Sequence, residues 1–182
     1  MNETLLKIRV FGDAVLRKKS ADVKVVTSRH AEVLSSMAQT MYQGGGIGLA
    51  APQVGINENM IVVDIGSGLY KLINPRIVEK EGRQAIEEGC LSVPGVCIKV
   101  PRARKILVNA LDENAKHLSI EAEGLLACVL QHEMDHLKGK LIIDYASLLG
   151  QVKMKKKLAQ LKKRARYEEL SESETKSCKL QL

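Results

Sequence analysis

The chain has 182 residues, 45% of them hydrophobic, and a formal net charge of +7, which suits one domain with a real core and is too little for two. No apolar run approaches the roughly 18 residues needed to cross a bilayer, and Met1 to Lys7 lacks the charged-then-apolar layout of an export signal, so a cytoplasmic protein with no membrane role is expected. The charge could mean an anionic partner, but much of it sits near the C-terminus.

Residues 5–26 carry short apolar clusters broken by Gly12-Asp13 and the basic run Arg17-Lys18-Lys19, and read as an extended arm. Thr27-Ser28 can cap a helix whose apolar positions Val33, Leu34, Met37, Ala38 and Met41 keep helical spacing until Gly44-Gly45-Gly46 stops it. β-branched residues cluster from Met60 to Asp64 and from Lys71 to Val78, which predicts paired strands. Two further β-rich blocks run from Val96 to Ala110 and from His117 to Glu123, joined by a hairpin turn at Asp112-Glu113-Asn114. Gly124 then opens a helix about four turns long that ends at Lys138-Gly139; it is apolar almost all round, as a buried helix is. From Ser147 to Arg166 a last helix sets Met154, Leu158, Leu161 and Ala165 in a stripe beneath a coat of lysine and arginine. Four cysteines, Cys90, Cys97, Cys128 and Cys178, include no C-x-x-C pair and read as free thiols or ligands.

Within the buried helix, Gln131-His132-Glu133-Met134-Asp135-His136 contains H-E-x-x-H. At about 100° per residue His132 and His136 stack on one face and can share a metal ion, while Glu133 is turned to the edge, where it can reach a water as general base. Leu125, Cys128 and Val129 lie on the same face. A catalytic site of this kind needs a third protein ligand. The metzincin position, six residues after His136, is Ile142, and a thermolysin-like glutamate would have to come from the solvated Glu168 or Glu169. Cys90, between Gly89 and the Leu91-Ser92-Val93-Pro94 step, is the better candidate, with a small buried thiol as its ordinary alternative. The segment from Gly44 to Gly55 lacks the lysine and serine of a phosphate loop and suits close backbone approach to a peptide-like ligand; Gln53 in it could donate to an oxyanion or be an ordinary turn residue.

Three motifs, Gly46-Ile47-Gly48-Leu49-Ala50-Ala51-Pro52-Gln53, Glu88-Gly89-Cys90-Leu91-Ser92 and Gln131-His132-Glu133-Met134-Asp135-His136, resemble in order and spacing the signature motifs of bacterial peptide deformylases. The resemblance extends from about Leu5 to the basic C-terminal helix. It implies that Cys90, His132 and His136 bind a divalent ion, ferrous iron with nickel, cobalt or zinc as substitutes. Glu133 would be the acid/base, and Gln53 with the Leu91 N–H the oxyanion hole. Ile47, Gly48, Gly89, Leu125, Cys128 and Val129 would contact substrate, with a methionine side chain in the apolar pocket, and Arg102 would brace the cysteine segment through Glu88. The implied reaction is hydrolysis of the N-formyl group from formylmethionine at the start of nascent polypeptides, releasing formate. At Val96-Cys97-Ile98 the chain lacks an arginine that many members use to contact peptide. The expected architecture is α+β, with antiparallel sheets packed around a central metal-binding helix, an N-terminal helix and a long C-terminal helix. One catalytic domain would cover residues 1–167, followed by a flexible polar tail over 168–182. Rival readings are a metalloendopeptidase and, from Lys153 to Arg164, a ribosome- or RNA-binding surface; a solvated helix face explains the same lysines more simply. DNA binding is not expected.

Overall fold

Strands β1 (Gly48–Ala50), β2 (Met60–Val63), β3 (Tyr70–Glu81), β6 (Lys105–Leu111) and β7 (His117–Glu123) form an antiparallel sheet in the order β1-β2-β3-β6-β7, and β4 (Gln84–Glu88) pairs with β5 (Ile98–Arg102) in a second, two-stranded sheet. Three helices accompany them: α1 (Ser28–Gln43), α2 (Gly124–His136) and α3 (Leu148–Tyr167). This is the α+β architecture expected, seen in a computed structural model that describes residues 5–167. The expected tail over 168–182 lies outside the described residues. None of the described helices is long and apolar enough to cross a membrane.

Strand β2 explains the layering. Its four residues are all fully buried because side chains alternate between two covered faces. Ile61 and Val63 join Leu72, Ile106, Val108 and Ile120 against Ala127, Val129, Leu130 and Met134 of α2. Met60 and Val62 join Leu49 and Ile73 against Leu34, Met37, Ala38 and Met41 of α1. A third cluster packs Cys90, Val93, Val96 and Val100 of the small sheet and its loop against Leu141, Ile142 and Ile143, with Leu161 of α3 closing it. The helix carrying the histidines is thus held on the sheet side by aliphatic packing, and the small sheet folds over its other side.

Two strands differ from the reading of the sequence. Gly48-Leu49-Ala50 reads as a glycine-rich loop but pairs with β2, from Gly48 with Val63 to Ala50 with Ile61. Residues 84–88 are polar apart from Ala85 and Ile86, and the strand exists because β5 offers its edge, from Gln84 with Arg102 to Glu88 with Ile98. The long β3 bends at Asn74-Pro75, where the register to β6 slips and Asn74 sits at φ 53°. Asn74 turns its amide outward, accepting from Val23 N–H at 2.9 Å and donating to Val23 C=O at 2.8 Å, which pins the N-terminal arm to the sheet. At the far end of the arm, Gly12 has φ 116°, and a Cβ there would come within 2.9 Å of Lys162 Cα. The close approach of α3 requires a glycine there.

Candidate metal centre

Three buried side chains from two distant segments converge. Cys90 leaves the loop after β4, and His132 and His136 leave one face of α2 a turn apart; their donor atoms all lie within 4.8 Å of one another. His136 Nε2 is 3.3 Å from Cys90 Sγ and 3.3 Å from His132 Nε2. An ion bonded to nitrogen at about 2.1 Å and sulfur at about 2.3 Å in tetrahedral geometry sets its donors roughly 3.4 to 3.6 Å apart, close to the 3.3 Å that His136 Nε2 keeps from each of the other two. The His132 Nδ1 lies 2.9 Å from Glu88 Oε2. A carboxylate oxygen accepts only, so Nδ1 carries the proton and the Nε2 lone pair faces the cluster. Burial holds the His136 pKa well below its ordinary value, with His132 adding to the effect, so that ring stays neutral and able to ligate. Burial likewise pushes the Cys90 thiol far up, and the carboxylates of Glu133 and Glu88 push it further. A cation among these donors is what would make it a thiolate. Sulfur and two imidazoles suit a borderline or soft divalent ion such as iron, zinc, nickel or cobalt.

Glu133 is fully buried, and neither carboxylate oxygen has a hydrogen-bond partner among the described residues. Burial, then the charge of Glu88, raises its pKa well above the ordinary carboxylate value. Its nearest wall is backbone: a Cβ at Gly48 would collide with the Glu133 carboxylate and approach Val129 Cγ1 to 2.9 Å. Opposite stands Gln53, fully buried in a short turn over Ala51–Val54. Its Oε1 accepts from Ala50 N–H at 2.7 Å, which leaves Nε2 to face Ser92 Oγ at 3.2 Å and Cys90 Sγ at 3.7 Å. The Leu91 N–H donates to no group among the described residues.

The remaining site residues named from the sequence separate by position. Ile47 and Leu125 are half-buried and pack on the cluster that contains Val129. Gly89 is buried beside Cys90. Cys128 is a free, fully buried thiol pushed up to about 11, first by burial and then by the charge of Glu88. Cys97, by contrast with Cys90 and Cys128, is disulfide-bonded, which departs from the reading of the cysteines as free thiols or ligands.

Behind the donors lies a buried ionic web. Arg102 holds Glu88 bidentately at 2.8 and 2.9 Å, and its Nη1 donates to Asp135 Oδ2 at 2.5 Å. Burial alone would raise the Glu88 pKa, but the bonds from Arg102 and His132 outweigh it and hold the group below the usual carboxylate range. Asp135 also accepts from the Tyr145 hydroxyl at 2.7 Å, and that hydroxyl, pushed up to about 12 by burial and this bond, remains a donor. A second tie is Gln131, which accepts from Ala103 N–H at 3.0 Å and donates to Ala103 C=O at 3.0 Å, locking α2 to the chain between β5 and β6. Reading the sequence overlooked Ser92, Gln131, Asp135 and Tyr145. Gln131 and Asp135 carried a signal, being polar neighbours of His132, Glu133 and His136 in a helix that reads as buried, whereas Tyr145 sits in a short turn and carried none.

Comparison with known proteins identifies the family and the fold. A family model described as Polypeptide deformylase matches residues 5–152. A peptide deformylase of Halothermothrix orenii is 50% identical over 149 residues, covering 81% of this chain and 97% of its own. One from Syntrophomonas wolfei is 54% identical over 132 residues, covering 72% and 87%. Among solved structures, the peptide deformylase from Legionella pneumophila superposes with a TM-score of 0.83 at 39% identity, covering 92% of this chain and 100% of that one. The enzyme from Thermus thermophilus gives 0.85 at 35%, covering 89% and 100%.

Proposed function

The chain belongs to the polypeptide deformylase family and hydrolyses the N-formyl group from newly made polypeptides in a metal-dependent reaction; on that premise we propose that Cys90, His132 and His136 hold the metal, that Glu133 carries the proton, and that Gln53 and the Leu91 N–H receive the oxyanion. The observation that carries this reading is the meeting of one thiol and two imidazole nitrogens within 4.8 Å of one another, beside a buried carboxylate with no hydrogen-bond partner among the described residues.

The ion, when bound, supplies positive charge that acidifies water and polarises the formyl oxygen. Glu133 takes a proton from the attacking water and returns it to the leaving α-amine. A carboxyl whose pKa is raised towards the working pH serves both transfers better than an ordinary one. As charge grows on the formyl oxygen, Gln53 Nε2 and the Leu91 N–H donate to it, and losing one such donor costs about 3 kcal/mol. Gln53 is preorganised for this because Ala50 fixes its amide the right way round. Selectivity follows from the walls. Gly48 lets the β1 backbone lie against Glu133, where a larger residue would strike the carboxylate, and Ile47, Leu125 and Val129, with Cys128 and Gly89, offer the methionine side chain an apolar wall. Among the ions this donor set suits we assign iron(II), as the family resemblance implies, and activity should then be sensitive to oxygen.

In this reading the enzyme works in the cytoplasm, and the lysines of α3 help bring it to the ribosome. An endopeptidase of the metzincin kind is disfavoured because the place of its third histidine is Ile142, which is in the core. Glu133→Gln tests the assignment of the base: turnover should fall by about a thousandfold while metal content stays at the wild-type level. Near wild-type turnover would remove Glu133 from the role.

A further inference from the structure

A cleft of about 630 Å³ lies beside the C-terminal end of α2, lined in part by Met134, Leu137 and Lys138. At about 100° per residue, Met134 stands roughly 200° round the helix from His132, on the face turned away from the metal donors, and Lys138 follows in the turn after the helix. Its size is that of a small-ligand site, and deformylation makes no use of it.

The wall is cationic and gathered from separate segments. Lys19 comes from the N-terminal arm, Arg76 and Lys80 from β3, and Lys138 from the turn after α2. The three lysines form no ion pair among the described residues. Asp22, the carboxylate on the same wall, is already occupied by Arg76 Nη2 at 2.6 Å and by Asn59 Nδ2 at 2.7 Å. Two buried polar atoms point to what is missing. Ser20 is 7% exposed, and its Oγ has no hydrogen-bond partner among the described residues; nor has the buried Oδ1 of Asn59. The Asn59 amide cannot be turned over to cure this, because its nitrogen faces a carboxylate oxygen that only accepts. The cleft therefore offers cationic donors and a hydroxyl donor to an oxyanion, together with one acceptor that calls for a donor from the ligand. The carbonyl end of α2, which would repel an anion, is met by Ser20 N–H on Leu137 C=O at 2.8 Å and by Lys138.

We propose that this cleft binds a phosphate group that carries or adjoins a hydroxyl, either as free hydrogen phosphate or as the ribose phosphate of RNA. The lysines and the Ser20 hydroxyl hold the phosphate oxygens. Asn59 Oδ1 accepts from the P–OH or from a ribose 2′-OH, the group that separates RNA from DNA. The site goes beyond deformylation and, lying behind α2, leaves the metal side open.

Calorimetric titration of the full-length, metal-loaded protein with inorganic phosphate, a short oligouridylate and its DNA counterpart tests this. Saturable phosphate binding is expected, weakened about fivefold by Ser20→Ala and lost in the Lys80→Ala/Lys138→Ala double variant. Formate release should be unchanged in both, which also shows that they fold. If RNA binds more tightly than phosphate and than DNA, ribose phosphate is the ligand, and the salt slope should fall by about 0.7 per lysine removed. If neither nucleic acid gains over phosphate, the free anion is the ligand. No saturable phosphate binding would overturn the proposal. So would RNA binding that both variants leave untouched, since it would then belong to the basic face of α3.

Discussion

Glu133 sits where a protein would not place a carboxylate for stability, fully buried and with neither oxygen paired among the described residues. Its folded-state pKa is raised, so its contribution to stability is whole below the unfolded-state value and is lost as pH rises through the folded one. Metal-free Glu133→Gln should therefore be more stable than the metal-free wild type at neutral pH, the gap closing as pH falls below the ordinary carboxylate range. Urea unfolding across pH would show it, and equal stability at every pH would contradict it. The web behind His132 makes a second prediction. Tyr145→Phe removes the hydroxyl that helps fix Asp135, hence Arg102 and Glu88, while keeping the ring. Metal affinity should fall about tenfold, the lower end of what distant supports of a ligand cost, with unfolding stability lowered by about 1 kcal/mol. Unaltered metal dissociation would reduce Tyr145 to a packing residue. At this scale the sequence was legible wherever chemistry restricts residue type: Cys90, His132, Glu133 and His136 stood out by identity and spacing. Tyr145 did not, because its partners come from β5 and from α2, and only the fold brings them together.

At the scale of elements, α1 and α3 were legible because each keeps a helical apolar spacing, and α2 because a run apolar almost all round lies between Gly124 and a stop at Lys138-Gly139. β1 and β4 were not, since each owes its state to the partner strand more than to its own residues. That matters for the site, because β4 carries Glu88 to its end and its partner β5 carries Arg102. Helix α3 divides its surface in a similar way. Met154, Leu158 and Leu161 pack in the third cluster, Lys155, Lys156, Lys162 and Lys163 are exposed, and Leu148 and Val152 are 83% and 68% exposed near its start. Lys155→Glu with Lys156→Glu should abolish salt-sensitive cosedimentation with ribosomes yet leave deformylation of a short peptide intact. Undiminished cosedimentation would leave those lysines as a solvated face.

Across the whole molecule, residues 46–53, 88–92 and 131–136 are far apart in the chain and meet because α2 lies between the large sheet and the small one. Aliphatic packing on the sheet side fixes the helix, and the ionic web on the other side aims its imidazole. What the sequence could not convey was this second side, whose contacts join α2 to residues at 88, 102, 103 and 145. The central claim is that one thiolate and two imidazoles hold the ion on which formyl hydrolysis depends. Its most direct test is anaerobic formate release from a formyl-Met peptide, with metal content measured on the same samples, for the wild type and Cys90→Ser. Activity should follow divalent metal at about one ion per chain, and Cys90→Ser should lose both together. Full metal occupancy in Cys90→Ser, or formate release that survives complete metal removal, would contradict it.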